Sequence, residues 1–420
     1  MPRGVSDYLA DTTESINMIE STLNSVFKLW GYRQIITPNL EYEAVMSLGL
    51  GEQLKNKSYR FEDRQSGKML AFPSDITPQI ARIAATRLKD RPLPHRISYS
   101  GRVLRQTEMQ AGRSREIFQS GVELIGLEST EADAEMVAMT VEALHKLGFI
   151  SFKIDMGQVE FCRGVLATSG ITGQALIDLQ RALSLKETAA VEDILRGSAA
   201  DSTAKNEIVA LTRLFGGREV MEEARRTVTN PRSVRALNNL QQVLDILDIH
   251  GVSSYLSIDL GETRGLDYHT GTTFEAFVSG LGEPVCSGGR YDSLISAYGF
   301  DVPATGFTFN VLNLLQAVDS EPASTNDGTQ GVLLSDHCGD RGRVLEIASA
   351  LRRNGVVIAR DIIKRSYELS LEYARKNRFG YMLVIDNDGC HAVRMTDSKR
   401  IELHEELLKN GGLLEYLAAA

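Results

Sequence analysis

Twelve consecutive residues, Arg264-Gly265-Leu266-Asp267-Tyr268-His269-Thr270-Gly271-Thr272-Thr273-Phe274-Glu275, bring together a cation, an acid, two neighbouring rings and two glycines. An arginine offers a fork of N–H donors that suits a carboxylate, and Tyr and His add ring hydrogen-bonding groups. Residues 255–260 and 274–278, on either side, alternate in hydrophobicity as strands do. The pattern points to a small polar ligand held over a sheet. Arg264 with Asp267 also has a plainer reading, a turn salt bridge of small energetic weight. His269 reads as a packed or hydrogen-bonded ring rather than a general base.

A second constellation sits on an expected hairpin. Residues 96–103 and 117–125 read as strands joined by the polar loop 106–114. Side chains alternate across a strand, so Gln119 and Glu123 share one face. Arg105, Arg113 and Arg115 surround the loop and by default are solvated charges. A third cluster is Gly288-Gly289-Arg290-Tyr291-Asp292, whose paired glycines permit either a tight turn or close approach of the backbone to a ligand.

These residues need a scaffold. Ile16, Ile19, Leu23, Val26 and Phe27 recur at helical spacing, and Gly31 stops that helix. Residues 32–38 read as a strand closed by Pro38. Residues 58–61 and 69–72 pair around a turn. Thr77 is placed as the N-cap of a helix with Pro78 in its first turn. A helix over 132–147 follows the hairpin. From 158 to about 249 the spacing is almost wholly helical, and strands resume at 255, which predicts a helical block inserted into a β-rich domain. The polar stretch 320–328 reads as a linker. Beyond it, strands at 331–334, 356–359 and 381–385 alternate with helices at 341–353 and 367–376, the pattern of a small α/β domain.

The chain of 420 residues is 43% hydrophobic and 24% charged, ordinary values for a soluble protein of two domains. A net charge of −9 argues against a strongly basic nucleic-acid binder. The first residues lack the apolar core of a signal peptide, and no run of about 18 apolar residues would span a membrane. Cys162, Cys286, Cys338 and Cys390 stand apart in the sequence, so reduced thiols and a cytoplasmic location are expected. No metal site and no cofactor are expected.

Taken in order, several motifs resemble those of histidyl-tRNA synthetase and its paralogue, the regulatory subunit of ATP phosphoribosyltransferase. They are Pro2-Arg3-Gly4 with Asp7, residues 31–38 ending at Pro38, and Arg105 through Gln119-Ser120-Gly121-Val122-Glu123. The stretch from Arg264, then Gly288 to Asp292, and Pro303-Ala304-Thr305-Gly306-Phe307 complete the series. The resemblance covers nearly the whole chain. It implies an α+β fold with a class II aminoacyl-tRNA synthetase-like antiparallel sheet and flanking helices over 1–320, including a helical insertion at about 160–250. Residues 321–420 are similar to an anticodon-binding domain.

The resemblance also implies a histidine pocket. Asp75 and Thr77 would face the α-amino group, Gln119 the backbone polar groups, Glu123 the imidazole and Arg264 the carboxylate. Tyr268 and Tyr291 match pocket tyrosines, and His269 replaces a second tyrosine beside Tyr268. The nucleotide side departs from the synthetase pattern. Its acid-arginine pair falls on Leu312 and Asn313, and an amide supplies neither the charge nor the fork of a guanidinium. Thr107 stands where the synthetase has an acid. Arg105, Arg113 and Arg115 are left as candidate phosphate or partner contacts.

The implied function is a non-catalytic regulatory subunit that assembles with a short-form catalytic ATP phosphoribosyltransferase. L-histidine would be its effector, and the subunit would be a homodimer inside a hetero-oligomer. No tRNA partner is implied. The alternative is an active histidyl-tRNA synthetase.

Overall fold

The computed structural model describes residues 1–51, 55–106, 114–263, 269–320, 331–363, 365–409, 413 and 416–417. The chain divides into two compact units, Met1–Pro322 and Ala323–Ala420.

The first unit is built on a nine-stranded sheet. Its order is Arg33–Gln34, His95–Leu104, Glu116–Ile125, Ala304–Asn310, Cys286–Arg290, Thr272–Val278, Phe152–Gln158, Leu256–Asp259 and Phe215–Gly216. The central strands run antiparallel. Arg33–Gln34 beside His95–Leu104 and Leu256–Asp259 beside Phe152–Gln158 are parallel. The helix Ala10–Leu29 buries Ile16, Ile19, Leu23, Val26 and Phe27, the stripe its spacing predicts. With the helix Thr130–Lys146 it contributes to the core that also takes in Phe118, Val122 and Phe307 from the sheet. A separate cluster gathers Ile76, Ile80, Ile97, Tyr99, Ile125 and Tyr291, which sets pocket residues among apolar neighbours.

Several local expectations need correction. Residues 32–38 form only the two-residue strand Arg33–Gln34. Thr77 is not an N-cap: the helix Thr77–Ile83 starts at that residue, and Ile76 precedes it without a side-chain cap. The Gly288-Gly289 pair makes no turn but lies inside the strand Cys286–Arg290. The strands flanking the Arg264 stretch are not neighbours, because Phe152–Gln158 lies between them. The connection therefore passes from one side of that strand to the other, and residues 264–268 within it lie outside the described residues.

The block expected to be helical contains the helices Val159–Ala167, Gln174–Ser184, Thr188–Arg196, Ser202–Ala210, Glu219–Thr227 and Pro231–Ile249. It also holds the short strand Phe215–Gly216, which extends the main sheet. Leu179, Leu183, Leu211, Leu237 and Leu244 share one core cluster with the sheet, so the block is packed into the unit.

The second unit has a five-stranded sheet in the order Ile358–Arg360, Val332–Asp336, Tyr381–Ile385, Cys390–Arg394, Arg400–Leu403. The first three are parallel and the last two antiparallel to their neighbours. Helix Arg341–Arg353 packs with Val332, Leu334 and Leu383. Helix Tyr367–Lys376 belongs with Leu333, Met382 and Val384, residues of the opposite sheet face.

Candidate functional site

Glu123 lines a cavity of about 710 Å³ in the first unit. It lies on the strand Glu116–Ile125, paired with Ile97 on one side and Gly306 on the other. Only 1% of it is exposed. Thr77 Oγ1 donates to its Oε1 at 2.8 Å, Tyr99 OH reaches the same oxygen at 3.3 Å, and Tyr291 OH donates to Oε2. Burial pushes its pKa up to about 8: the three hydroxyl donors do not offset the lost hydration, and the nearby Asp75 carboxylate raises it further. Glu123 therefore favours its protonated form near neutral pH. It is poised either to donate a proton to a ring nitrogen or, once ionised, to accept from a ring N–H.

A raised carboxyl pKa has a signed consequence for stability. The contribution is fully present below the ordinary value of 4.5 and is lost as pH rises towards about 8. Glu123→Gln removes the titration, so ligand-free wild type is expected to lose stability relative to this variant across that window, by a few kcal/mol in total. Thermal unfolding of both proteins from about pH 5 to about pH 8 reads it. Parallel curves would mean that Glu123 ionises as a solvated carboxyl.

Asp75 lines the same cavity. Its Oδ1 accepts from Gln119 Nε2 at 3.4 Å and from the Thr77 amide at 3.3 Å. Gln119 Oε1 in turn accepts from the Ile76 amide at 3.1 Å, so its side chain is oriented at both ends. The structure thus joins Asp75, Thr77, Gln119, Glu123 and Tyr291 in one hydrogen-bonded group. Gln119 itself borders an adjoining cavity of about 180 Å³ rather than the larger one.

His269 lines the large cavity with Nδ1 3.3 Å from the Arg290 carbonyl oxygen. Burial pushes its pKa down to about 4, so the ring is neutral at ordinary pH. Arg264, Tyr268 and Arg113 lie outside the described residues. Arg115 is described but does not border the cavity.

Sequence reasoning missed Tyr99, an inward-facing polar ring on an alternating strand, which was the available signal. It also missed the Arg290–Asp133 pair, at 2.9 Å and nearly enclosed. That pair ties the strand carrying Gly288 and Gly289 to the helix behind the sheet. Ile177, Gln180, Arg181 and Ser184 from the helical block line the cavity without having been expected. No spacing in the sequence brings that helix to this face.

Two residues expected on the nucleotide side, Arg105 and Asn313, are bonded to backbone carbonyls. Arg105 Nε donates to the Ser74 carbonyl at 2.7 Å, with its Nη2 3.7 Å from Asp75. Asn313 Nδ2 donates to the Pro284 carbonyl at 2.8 Å. Both border the smaller cavity. Among the described residues no group of three or more His, Cys, Asp or Glu is arranged to hold a metal ion. None of their helices is long and apolar enough to cross a membrane. The four cysteines are free.

A large sheet, antiparallel at its centre, with flanking helices and a carboxyl-floored pocket defines a class II aminoacyl-tRNA synthetase-like protein. The histidyl-tRNA synthetase family model matches residues 4–314. An ATP phosphoribosyltransferase regulatory subunit of Geobacter sulfurreducens is 57% identical over 95% of this chain and 92% of its own. Its counterpart in Geobacter metallireducens is 54% identical over 98% and 96%. The solved structure of an ATP phosphoribosyltransferase regulatory subunit/histidyl-tRNA synthetase from Bacillus halodurans matches with a TM-score of 0.82 at 28% identity, covering 92% of this chain and 98% of that one. The chain belongs to the ATP phosphoribosyltransferase regulatory subunits, within the histidyl-tRNA synthetase family.

Proposed function

We propose that this chain is the non-catalytic regulatory subunit of an ATP phosphoribosyltransferase and carries feedback inhibition by L-histidine bound in the synthetase-like pocket. The reaction at the first step of histidine biosynthesis belongs to the short-form catalytic partner, which requires this subunit for activity. The observation that carries the pocket assignment is Glu123, buried and ringed by Thr77, Tyr99 and Tyr291. A buried carboxyl held by hydroxyls suits an imidazole, and Asp75 suits the ammonium. Arg264 is assigned to the carboxylate by the family resemblance. The internal bonding of Arg105 and Asn313 counts against nucleotide activation. Loss of a cationic clamp on transferring phosphate costs orders of magnitude in rate.

Allosteric coupling typically amounts to about 1–3 kcal/mol and is reciprocal between sites, so the inhibited state of the complex binds histidine more tightly. The purified chain is expected to give no histidine-dependent ATP–pyrophosphate exchange. Mixed with the short phosphoribosyltransferase of the same genome, it is expected to activate that enzyme and make it inhibitable by L-histidine. Robust exchange by the chain alone would overturn the proposal in favour of an active synthetase.

A further inference from the structure

The helical block reaches the pocket with one helix, Gln174–Ser184. Ile177, Gln180, Arg181 and Ser184 fall three, four and seven residues apart from the first, which is a single helical stripe. Leu179, Ala182 and Leu183 are buried in the core. An apolar stripe thus anchors the helix and a mostly polar stripe borders the cavity.

Its position is held against the segment that leads into the Arg264 stretch. Thr263 Oγ1 donates to the Gln180 carbonyl at 2.9 Å, one residue from Arg181. Lys186 Nζ meets Asp259 Oδ1 at 2.6 Å just beyond the helix. The Leu260 amide donates to the Leu214 carbonyl at 3.0 Å. At Gly261 a Cβ would collide with the Leu211 carbonyl oxygen, so glycine lets the two backbones meet.

Among the described residues, the charges of the lining single out one side chain. Its acids are Asp75, Glu123 and Glu275, and its described cations are Arg105 and Arg181. Arg105 is bonded to the Ser74 carbonyl and lies near Asp75. The Arg181 guanidinium has no hydrogen-bond or ion-pair partner among the described residues.

We propose that Arg181 is a ligand-binding residue of this pocket and that its guanidinium is a second grip, beside Arg264, on the carboxylate of the bound amino acid. The inference rests on the histidine-pocket reading and deepens it: the helical block, and not the sheet alone, decides which ligand is accepted. A planar guanidinium pairs with a carboxylate through two parallel hydrogen bonds, which an alcohol does not reproduce. A ligand held by Glu123 at its ring and by Arg181 at its carboxylate bridges the sheet and the helical block.

Isothermal titration of the full chain tests this with L-histidine and with histidinol, which carries a hydroxymethyl group in place of the carboxylate. Arg181→Gln is expected to weaken L-histidine at least about tenfold while changing histidinol by less than about twofold, so that the preference for L-histidine shrinks by the same factor. An unchanged preference, whether both ligands weaken together or neither does, overturns the role of Arg181 and leaves the pocket assignment standing. Failure of the wild-type chain to bind L-histidine at all overturns the pocket reading, and this inference with it.

Discussion

Glu123→Ala is expected to weaken L-histidine binding by about tenfold to a hundredfold and to relieve histidine inhibition of the assembled enzyme to the same extent. In the proposed pocket, the change removes the group assigned to the ligand ring. A hydrogen bond to a charged partner contributes about 1.5–3 kcal/mol, and each 1.4 kcal/mol is about a factor of ten in affinity. The same change leaves the hydroxyls of Thr77, Tyr99 and Tyr291 without the two carboxyl oxygens that now accept from them. An unsatisfied buried polar group costs about 1–3 kcal/mol, so the variant is also expected to unfold at lower temperature. Titration calorimetry and an inhibition curve on the reconstituted complex measure the two effects separately. Normal inhibition by histidine in a folded Glu123→Ala complex would show that the effector binds elsewhere.

Gly306→Ala is expected to be comparably damaging although it adds a single methyl. Gly306 sits in the strand Ala304–Asn310, paired with Glu123 on one side and Gly289 on the other. A Cβ there would overlap Glu123 Oε2 and lie 2.5 Å from the Val122 carbonyl oxygen. The carboxyl can swing away but the backbone oxygen, fixed in the ladder, cannot. Overpacking of this kind costs about 1–3 kcal/mol. The variant is expected to lose histidine binding by more than about tenfold, because the carboxyl that remains must leave its three hydroxyl donors. Calorimetry and thermal unfolding check both, and wild-type affinity with wild-type stability would mean that the strand relaxes around the methyl.

Much of the hydrogen-bonded group around Glu123 could be read before the fold was known. Alternation along the hairpin put Gln119 and Glu123 on one face, and both are in the hydrogen-bonded group with Asp75 and Thr77. The motif order carried the family, and Asn313 carried the expectation that nucleotide chemistry is absent. Elements with a strong period, such as Ala10–Leu29, were legible because burial on one face imposes that period. The strand Phe152–Gln158 has the same kind of alternation, at Phe152, Ile154 and Met156, yet was not among the expected elements. Thr77 illustrates a different failure. Local preference favours threonine as an N-cap, but its hydroxyl is taken by Glu123, a residue distant in sequence.

By itself the sequence determined the class of fold, the family and the chemical types proposed for the pocket: carboxyls, hydroxyls and a guanidinium. These follow from periodicity and from motif identity, both of which are local properties of the chain. Only the tertiary structure decided the state of Glu123, because its pKa of about 8 depends on burial and on three hydroxyls supplied by three other segments. It alone showed that the helix Gln174–Ser184 reaches the pocket, and that Arg105 and Asn313 are bonded to backbone carbonyls. Such facts are set by contacts between residues far apart in sequence, which no spacing along the chain encodes.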